Sequence, residues 1–318
     1  MILLLGGSGY IGEAFAQVLR QRGESFRSVS RRQVDYTDKP QLLELISNTG
    51  ADFLINAAGF TGKPNVDACE RRPVDTLAGN VLLPLTIHAA CSEAGIAWGH
   101  ISSGCIYSGA KVESDSGTAI QKDLLPILDV GQGEESTPQV TGFNEGDSPN
   151  FSFQALPCSF YSGTKAMAEE CLVLSQADCY LWRLRIPFDE RDHSRNYLSK
   201  LLRYPKAYQN YNSISHRFEF ANACLDLYKS GADRGIYNIT NPGFISTREV
   251  IAFIQSILKP SRSFEFWKDD DEFYRSIAKA PRSNCVLNTD KLSRAGIQLR
   301  PVREALVDSL ENWNKDKD

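Results

Sequence analysis

Two side chains four residues apart, Tyr161 and Lys165 in "SFYSGTKAMAEE" (159–170), open a helix-forming stretch and fall on one helix face. A phenol can exchange a proton with a reacting oxygen. A neighbouring ammonium favours the phenolate and brings that exchange nearer neutral pH than the reference value of ~10 allows. Upstream, "HISSGCIYSG" (100–109) places Ser103 at the carboxyl end of a strand pattern, where its hydroxyl can hydrogen-bond the same oxygen. Singly, each residue has an ordinary explanation, since Tyr and Lys share many amphipathic helices and a serine often caps or turns. In this chain order they describe proton transfer to an oxygen.

A cofactor site stands further upstream in "LLLGGSGYIG" (3–12), an apolar run followed by glycines and then directly by helix formers. Gly6, Gly7 and Gly9 remove side chains where a backbone turns sharply or touches something large, and Gly12 lets a helix pack on a strand. Dinucleotide-binding βαβ units make these demands, with the pyrophosphate on the helix N-terminus. Gly6, Ser8, Gly9, Tyr10 and Ile11 are the expected contacts. The second strand runs into Ser30, Arg31 and Arg32. An acidic residue there would hold the ribose 2′-OH of NAD(H), whereas two guanidiniums suit a 2′-phosphate. NADP(H) is therefore expected and NAD(H) is the second choice; the alternative is that the arginines cap a solvated loop. "VDYTD" (34–38), with Asp35, passes the adenine next. Asn56, Ala57, Ala58 and Gly59 end the third strand with small residues, and Asn80 completes the expected cofactor surface.

Around these residues the first 110 positions alternate strand and helix signals. Strands are expected at Met1–Leu5, Phe26–Ser30, Phe53–Ala57 and Trp98–Ser102, with helices at Glu13–Gln21, Pro40–Asn48 and Asn80–Ala94, the last closed by Gly95. Tyr161–Leu174 reads as a helix, and 179–188 and 235–240 as further strands. The fold class is α/β, a Rossmann-type doubly wound parallel sheet with a smaller C-terminal substrate lobe. Residues 1–188 and 216–242 form the cofactor domain in this reading, and 189–215 with 243–318 form the lobe. Residues 108 to 157, rich in Gly, Ser, Glu, Asp and Pro, read as a long surface excursion.

With 318 residues, 42% hydrophobic and 23% charged, the composition is that of a globular enzyme. A net charge of −4 offers no footprint for nucleic acid or an anionic membrane. "MILLL" lacks a basic flank and reads as a buried strand, and no apolar run is expected to span a bilayer. Eight cysteines without a CxxC pair suggest reduced thiols in a cytoplasm. The four histidines show no metal-ligand spacing, so no metal is expected.

The glycine turn, NAAG, Ser and YxxxK resemble the extended short-chain dehydrogenase/reductase superfamily. "GKPNVDACERRP" (62–73), "HISSGCIY" (100–107), "FYSGTKAMAEE" (160–170), "WRLRIPF" (182–188), "RNYLSKLLRY" (195–204), "GIYNITNPG" (235–243) and "APRSN" (280–284) narrow the likeness. They resemble the dTDP-4-dehydrorhamnose reductase family, and within it the plant-type bifunctional nucleotide-rhamnose 3,5-epimerase/4-reductases. The resemblance implies a UDP- or dTDP-linked 4-keto-6-deoxyhexose substrate, with NADPH reducing C4. Tyr161 would protonate the alkoxide, Ser103 would hold that oxygen, and Lys165 would bind the nicotinamide ribose and tune Tyr161. It further implies that Cys105 and Lys200 move the C3 and C5 protons, and that Asn196, Arg282 and Asn284 face the nucleotide diphosphate or sugar.

Two departures stand out: a serine where that branch usually carries threonine, and a much longer 108–157 stretch. Rival readings are a 4-reductase or 4-epimerase with Cys105 and Lys200 inert, and a non-catalytic NADP-binding regulatory subunit. A homodimer is left open as the assembly.

Overall fold

The computed structural model describes residues 1–115, 117–128 and 139–314. Six parallel strands make the central sheet: β1 (Ile2–Leu5), β2 (Phe26–Val29), β3 (Phe53–Asn56), β4 (Ala97–Ser103), β5 (Cys179–Leu184) and β6 (Gly235–Asn238). Their spatial order is β6-β5-β4-β3-β1-β2. The chain leaves β1 to one side for β2 and returns to the other for β3, which makes β1/β3 the switch point outside which ligands bind in such sheets.

The sheet is apolar on both faces because helices cover both. Ile2, Leu4, Phe53, Ile55, Tyr180, Trp182 and Tyr237 pack against α1 (Tyr10–Gln21) and a helix at Arg217–Lys229. Leu3, Leu5, Val29, Leu54, Trp98 and Leu181 meet α2 (Lys39–Thr49), a long α3 (Pro73–Ala94) and α4 (Phe160–Leu174). Alternate residues of one strand thus serve opposite layers, as the two-residue period of a strand dictates.

Alpha3 starts seven residues before the expected Asn80 and contains a π-helical turn at Ala78–Leu82. At 22 residues with a mean hydropathy of 1.2, it is long and apolar enough to cross a bilayer by length and composition, so the expectation that no run qualifies is corrected; 44% of it is buried against the protein. Gly95 ends it in the left-handed conformation, φ 67°.

A further apolar cluster joins Phe188, Leu198, Leu201, Ile214, Val250, Ile251, Ile254, Ala305 and Leu306. The expected strand 179–188 stops at Leu184, and Pro187–Phe188 pairs instead with Ser215–His216. The 108–157 stretch is anchored more firmly than its composition suggests. Ala110–Ser114 pairs antiparallel with Gly117–Gln121 and with Gln139–Val140, and Ala110, Val112, Leu124, Phe143 and Phe151 are buried. Phe143 stacks on Tyr107, ring centroids 4.5 Å apart. Residues 116 and 129–138 of that stretch, like 315–318 of the C-terminal lobe, lie outside the described residues.

The approach of α1 to β1 is tight. Gly6 has φ +74°, and a Cβ on Gly12 would lie 2.1 Å from the Gly6 carbonyl oxygen and 2.7 Å from the Gly7 Cα. No rotamer relieves a clash with backbone. Gly12→Ala should cost at least about 2 kcal/mol of stability, the size of a core overpacking penalty. A urea midpoint unchanged in Gly12→Ala would show that the turn opens freely.

Candidate active site

The glycine turn delivers the N-terminus of α1 to the carboxyl edge of the sheet. Gly9 caps this helix with no side-chain acceptor, so the first-turn N–H groups of Tyr10, Ile11 and Gly12 are left to an outside acceptor. A dinucleotide pyrophosphate fits that cradle. A Cβ at Gly6 would sit 2.5 Å from the Ala58 nitrogen, so the turn and the end of β3 are in direct contact. Asn56 Oδ1 accepts from the Ala58 N–H (3.0 Å), while Asn80, fully buried, clamps both backbone groups of Phe60 at 2.8 Å. Asn56 and Asn80 therefore shape the Ala57–Phe60 backbone; their side chains are engaged within the protein.

The line continues to the candidate catalytic residues. A Cβ at Gly59 would lie 3.8 Å from Lys165 Nζ, which donates to the Ile101 carbonyl on β4 (3.0 Å). Two residues further along β4, Ser103 Oγ accepts from the Cys105 N–H (3.1 Å) and hydrogen-bonds the Tyr161 phenol. Cys105 Sγ receives a hydrogen bond from Arg185 Nη1 at 2.9 Å. Ser103, Cys105, Tyr161 and Arg185 are thus one connected group, with Lys165 one turn of α4 behind the phenol.

Burial sets the protonation of this group. It pushes the Tyr161 phenol up, helped by the negative potential of the Cys105 sulfur and opposed by the Ser103 hydrogen bond and the Arg185 charge. Lys165 lies one turn further along the same helix. Its own ammonium is pulled down to about 8 by burial, with Glu169 one turn along α4 resisting. The upward shift at Tyr161 keeps it a protonated phenol. Lys200 lies on the helix Tyr197–Arg203 and is likewise pulled down to about 8, by burial and by Arg195. That helix faces the site: Tyr197, three residues before Lys200, feels the Arg185 charge.

The nucleotide end is more open. Arg31 and Arg32 are exposed just past β2; Arg31 hydrogen-bonds Tyr36, and Arg32 has no ion pair among the described residues. Ser30 binds Gln33 through N–H and Oγ, both 2.9 Å, and Asp35 accepts from Thr37. Among the described residues no cluster of His, Cys, Asp and Glu could hold a metal ion.

A family model described as the NAD dependent epimerase/dehydratase family matches residues 2–124. The chain is 31% identical over 314 residues to the bifunctional dTDP-4-dehydrorhamnose 3,5-epimerase/dTDP-4-dehydrorhamnose reductase of Arabidopsis thaliana, covering 98% of this chain and 93% of that protein. The chain belongs to the dTDP-4-dehydrorhamnose reductase family. Among solved structures it matches the L780 UDP-rhamnose synthase of Acanthamoeba polyphaga mimivirus with a TM-score of 0.81, 24% identity and 98% of each chain covered. The Bacillus anthracis dTDP-4-dehydrorhamnose reductase in complex with NADP gives 0.73 and 15%, over 99% of this chain and 98% of that one. These two share the fold.

Membership of this reductase family does not make every motif residue a ligand contact. Asn196 is fully buried, caps its helix through Leu198 N–H, and donates to Asp189 and to the Arg191 carbonyl, so its side chain is engaged within the protein. The Tyr10 side chain is also committed, donating to Asp189 Oδ1 (2.6 Å) beneath the Arg217 guanidinium, so only its backbone is left for a cofactor. Arg282 forms a bidentate pair with Asp67 (2.7 and 2.9 Å), and Asn284 Oδ1 accepts from Asn212 (3.2 Å). Sequence reasoning passed over Arg185, although two arginines in the apolar run "CYLWRLRIPF" were a signal that buried charge had a purpose.

The depressed Lys165 has a thermodynamic sign. Between about pH 8 and 10.5 the unfolded chain holds more protons on this lysine than the folded one, so the wild type gains stability as pH rises through that window. Lys165→Met should therefore be more stable than wild type at pH 7, by ~2–3 kcal/mol. That advantage should shrink between pH 8 and 10 in urea titrations. An advantage independent of pH would refute the burial of a charged lysine here.

Proposed function

We propose that this protein is a cytoplasmic, NADPH-dependent nucleotide-sugar 3,5-epimerase/4-reductase. It would convert an NDP-4-keto-6-deoxyhexose, UDP- or dTDP-linked, to an NDP-6-deoxyhexose such as NDP-L-rhamnose. Membership of the family supports this, and so does the name of the Arabidopsis relative. The observation that carries it is the contact of a protonated Tyr161 with Ser103, with the Cys105 sulfur close enough to act on the phenol.

A bound nicotinamide cofactor supplies hydride to C4. Ser103 holds the C4 oxygen, and Tyr161 Oη releases its proton to that oxygen as charge develops there. The protons at C3 and C5 flank the C4 ketone and are acidic for that reason. Cys105 Sγ takes one as its C–H electron pair moves into the carbonyl, and Lys200 returns a proton to the opposite face. Lys165 binds the nicotinamide ribose. Arg31 and Arg32 receive the 2′-phosphate of NADP(H). Residues 1–188 with 216–242 carry the cofactor in this reading, and 189–215 with 243–318 carry the sugar nucleotide.

Incubation with NADPH and UDP- or dTDP-4-keto-6-deoxyglucose in deuterated water tests the reading. Deuterium at C3 and C5 of the reduced product is expected, and a product unlabelled at both carbons removes the epimerase. Tyr161→Phe should lose at least about 100-fold in kcat, the weight of a positioned general acid. An unaffected variant would favour a regulatory role.

Replacing Arg31 and Arg32 together by alanine should lower kcat/KM for NADPH at least about tenfold, the size of one charge-assisted hydrogen bond, and leave NADH unchanged. Equal losses with both cofactors would return the arginines to a solvated loop.

A further inference from the structure

Arg185 is a buried cation without a counter-ion. It follows β5 by one residue, its side chain is fully enclosed, and no carboxylate lies within ion-pair distance among the described residues. Its neighbour two residues back differs in this respect: Arg183, equally buried, is held by Glu169 at 2.7 Å. Arg185 Nη2 donates to Asn212 Oδ1 and to the Ser283 carbonyl, both 2.5 Å, which fixes the guanidinium between two loops. Nη1 donates to Cys105 Sγ at 2.9 Å, and Nε finds no protein partner.

A desolvated guanidinium with neutral partners lacks compensating charge. Two thiols lie beside it; Cys285 donates its S–H to the Gly104 carbonyl (3.2 Å), which leaves Cys105 as the one that can become an anion by losing a proton at modest cost. We propose that Arg185 is a positioning residue for epimerisation, holding Cys105 as a thiolate beside Tyr161. The other ionisable groups that face this sulfur are Tyr161 and Lys165 of α4 and Cys285 of the adjoining loop. No carboxylate opposes the arginine there among the described residues. The inference rests on the reading of Cys105 as the proton-abstracting group. The thiolate sulfur takes the C–H proton to become S–H, and the C–H electron pair passes into the C4 carbonyl as an enolate. Protonation on the other face restores the ketone, so the substrate gains and loses one proton.

Thiolate absorbance near 240 nm at pH 7 reads the charge directly. Wild-type protein should exceed Cys105→Ala by the absorbance of one thiolate; identical spectra would overturn the proposal without any change at Arg185. Arg185→Gln should lose that absorbance and should slow iodoacetamide labelling of Cys105 at pH 7 at least tenfold, whereas Arg185→Lys keeps both within about threefold. A merely structural arginine predicts the opposite sign, since loosening the loops exposes the thiol and speeds labelling. Faster or unchanged labelling in folded Arg185→Gln therefore also overturns it. A thiolate at Cys105 in an enzyme that exchanges no deuterium at C3 or C5 would retire the epimerase reading and leave the role of Arg185 standing.

Discussion

Positive charge taken out of water without a matching carboxylate is the constraint around which this site is arranged. Lys165 and Lys200 are both pulled down to about 8 by burial, and Arg185 is enclosed among amides, a carbonyl and a sulfur. Elsewhere buried cations are paired: Arg183 with Glu169 and Arg217 with Asp189. Removing charge from water costs several kcal/mol per ion. The unpaired cations are thus a local expense that the paired scaffold tolerates. In the proposed reaction a nucleotide diphosphate, an enolate and an alkoxide are all anions, and each would find here an electrostatic environment organised before it arrives.

The scaffold makes this possible through backbone contact. Gly6 and Gly12 bring α1 against β1, the turn touches Ala58, and Gly59 lies close to Lys165. Glu169 then has two tasks from one position. It neutralises Arg183 and binds Ser102 on β4, and one turn away it keeps Lys165 from losing its proton entirely.

What could be read from the sequence was what short spacings decide. The glycine turn, the Tyr161–Lys165 pair and Ser103 at a strand end depend on residues within a few positions of each other, and they fell where expected. Contacts between distant segments could not be read this way. Arg282 meets Asp67 across 215 positions, and Arg185 meets Cys105 across 80. Asn196 is a different case: an asparagine just before a helix is a capping signal, which the motif likeness overrode. In 108–157 the polar composition masked Ala110, Val112, Phe143 and Phe151, a few apolar residues that fasten the stretch to the core. The helix α3 starts earlier than expected, with Pro73 in its first turn and Gly79 in the π-helical turn, places where both residues are tolerated.

The central claim, that amines at this site are desolvated without an ion-paired carboxylate, is open to direct titration. In carbon-13 NMR of the lysine side chains, with Lys165→Met and Lys200→Met used to assign the two signals, the account predicts that both amines titrate near pH 8. Titration of both near 10.5, with the other lysines, would contradict it.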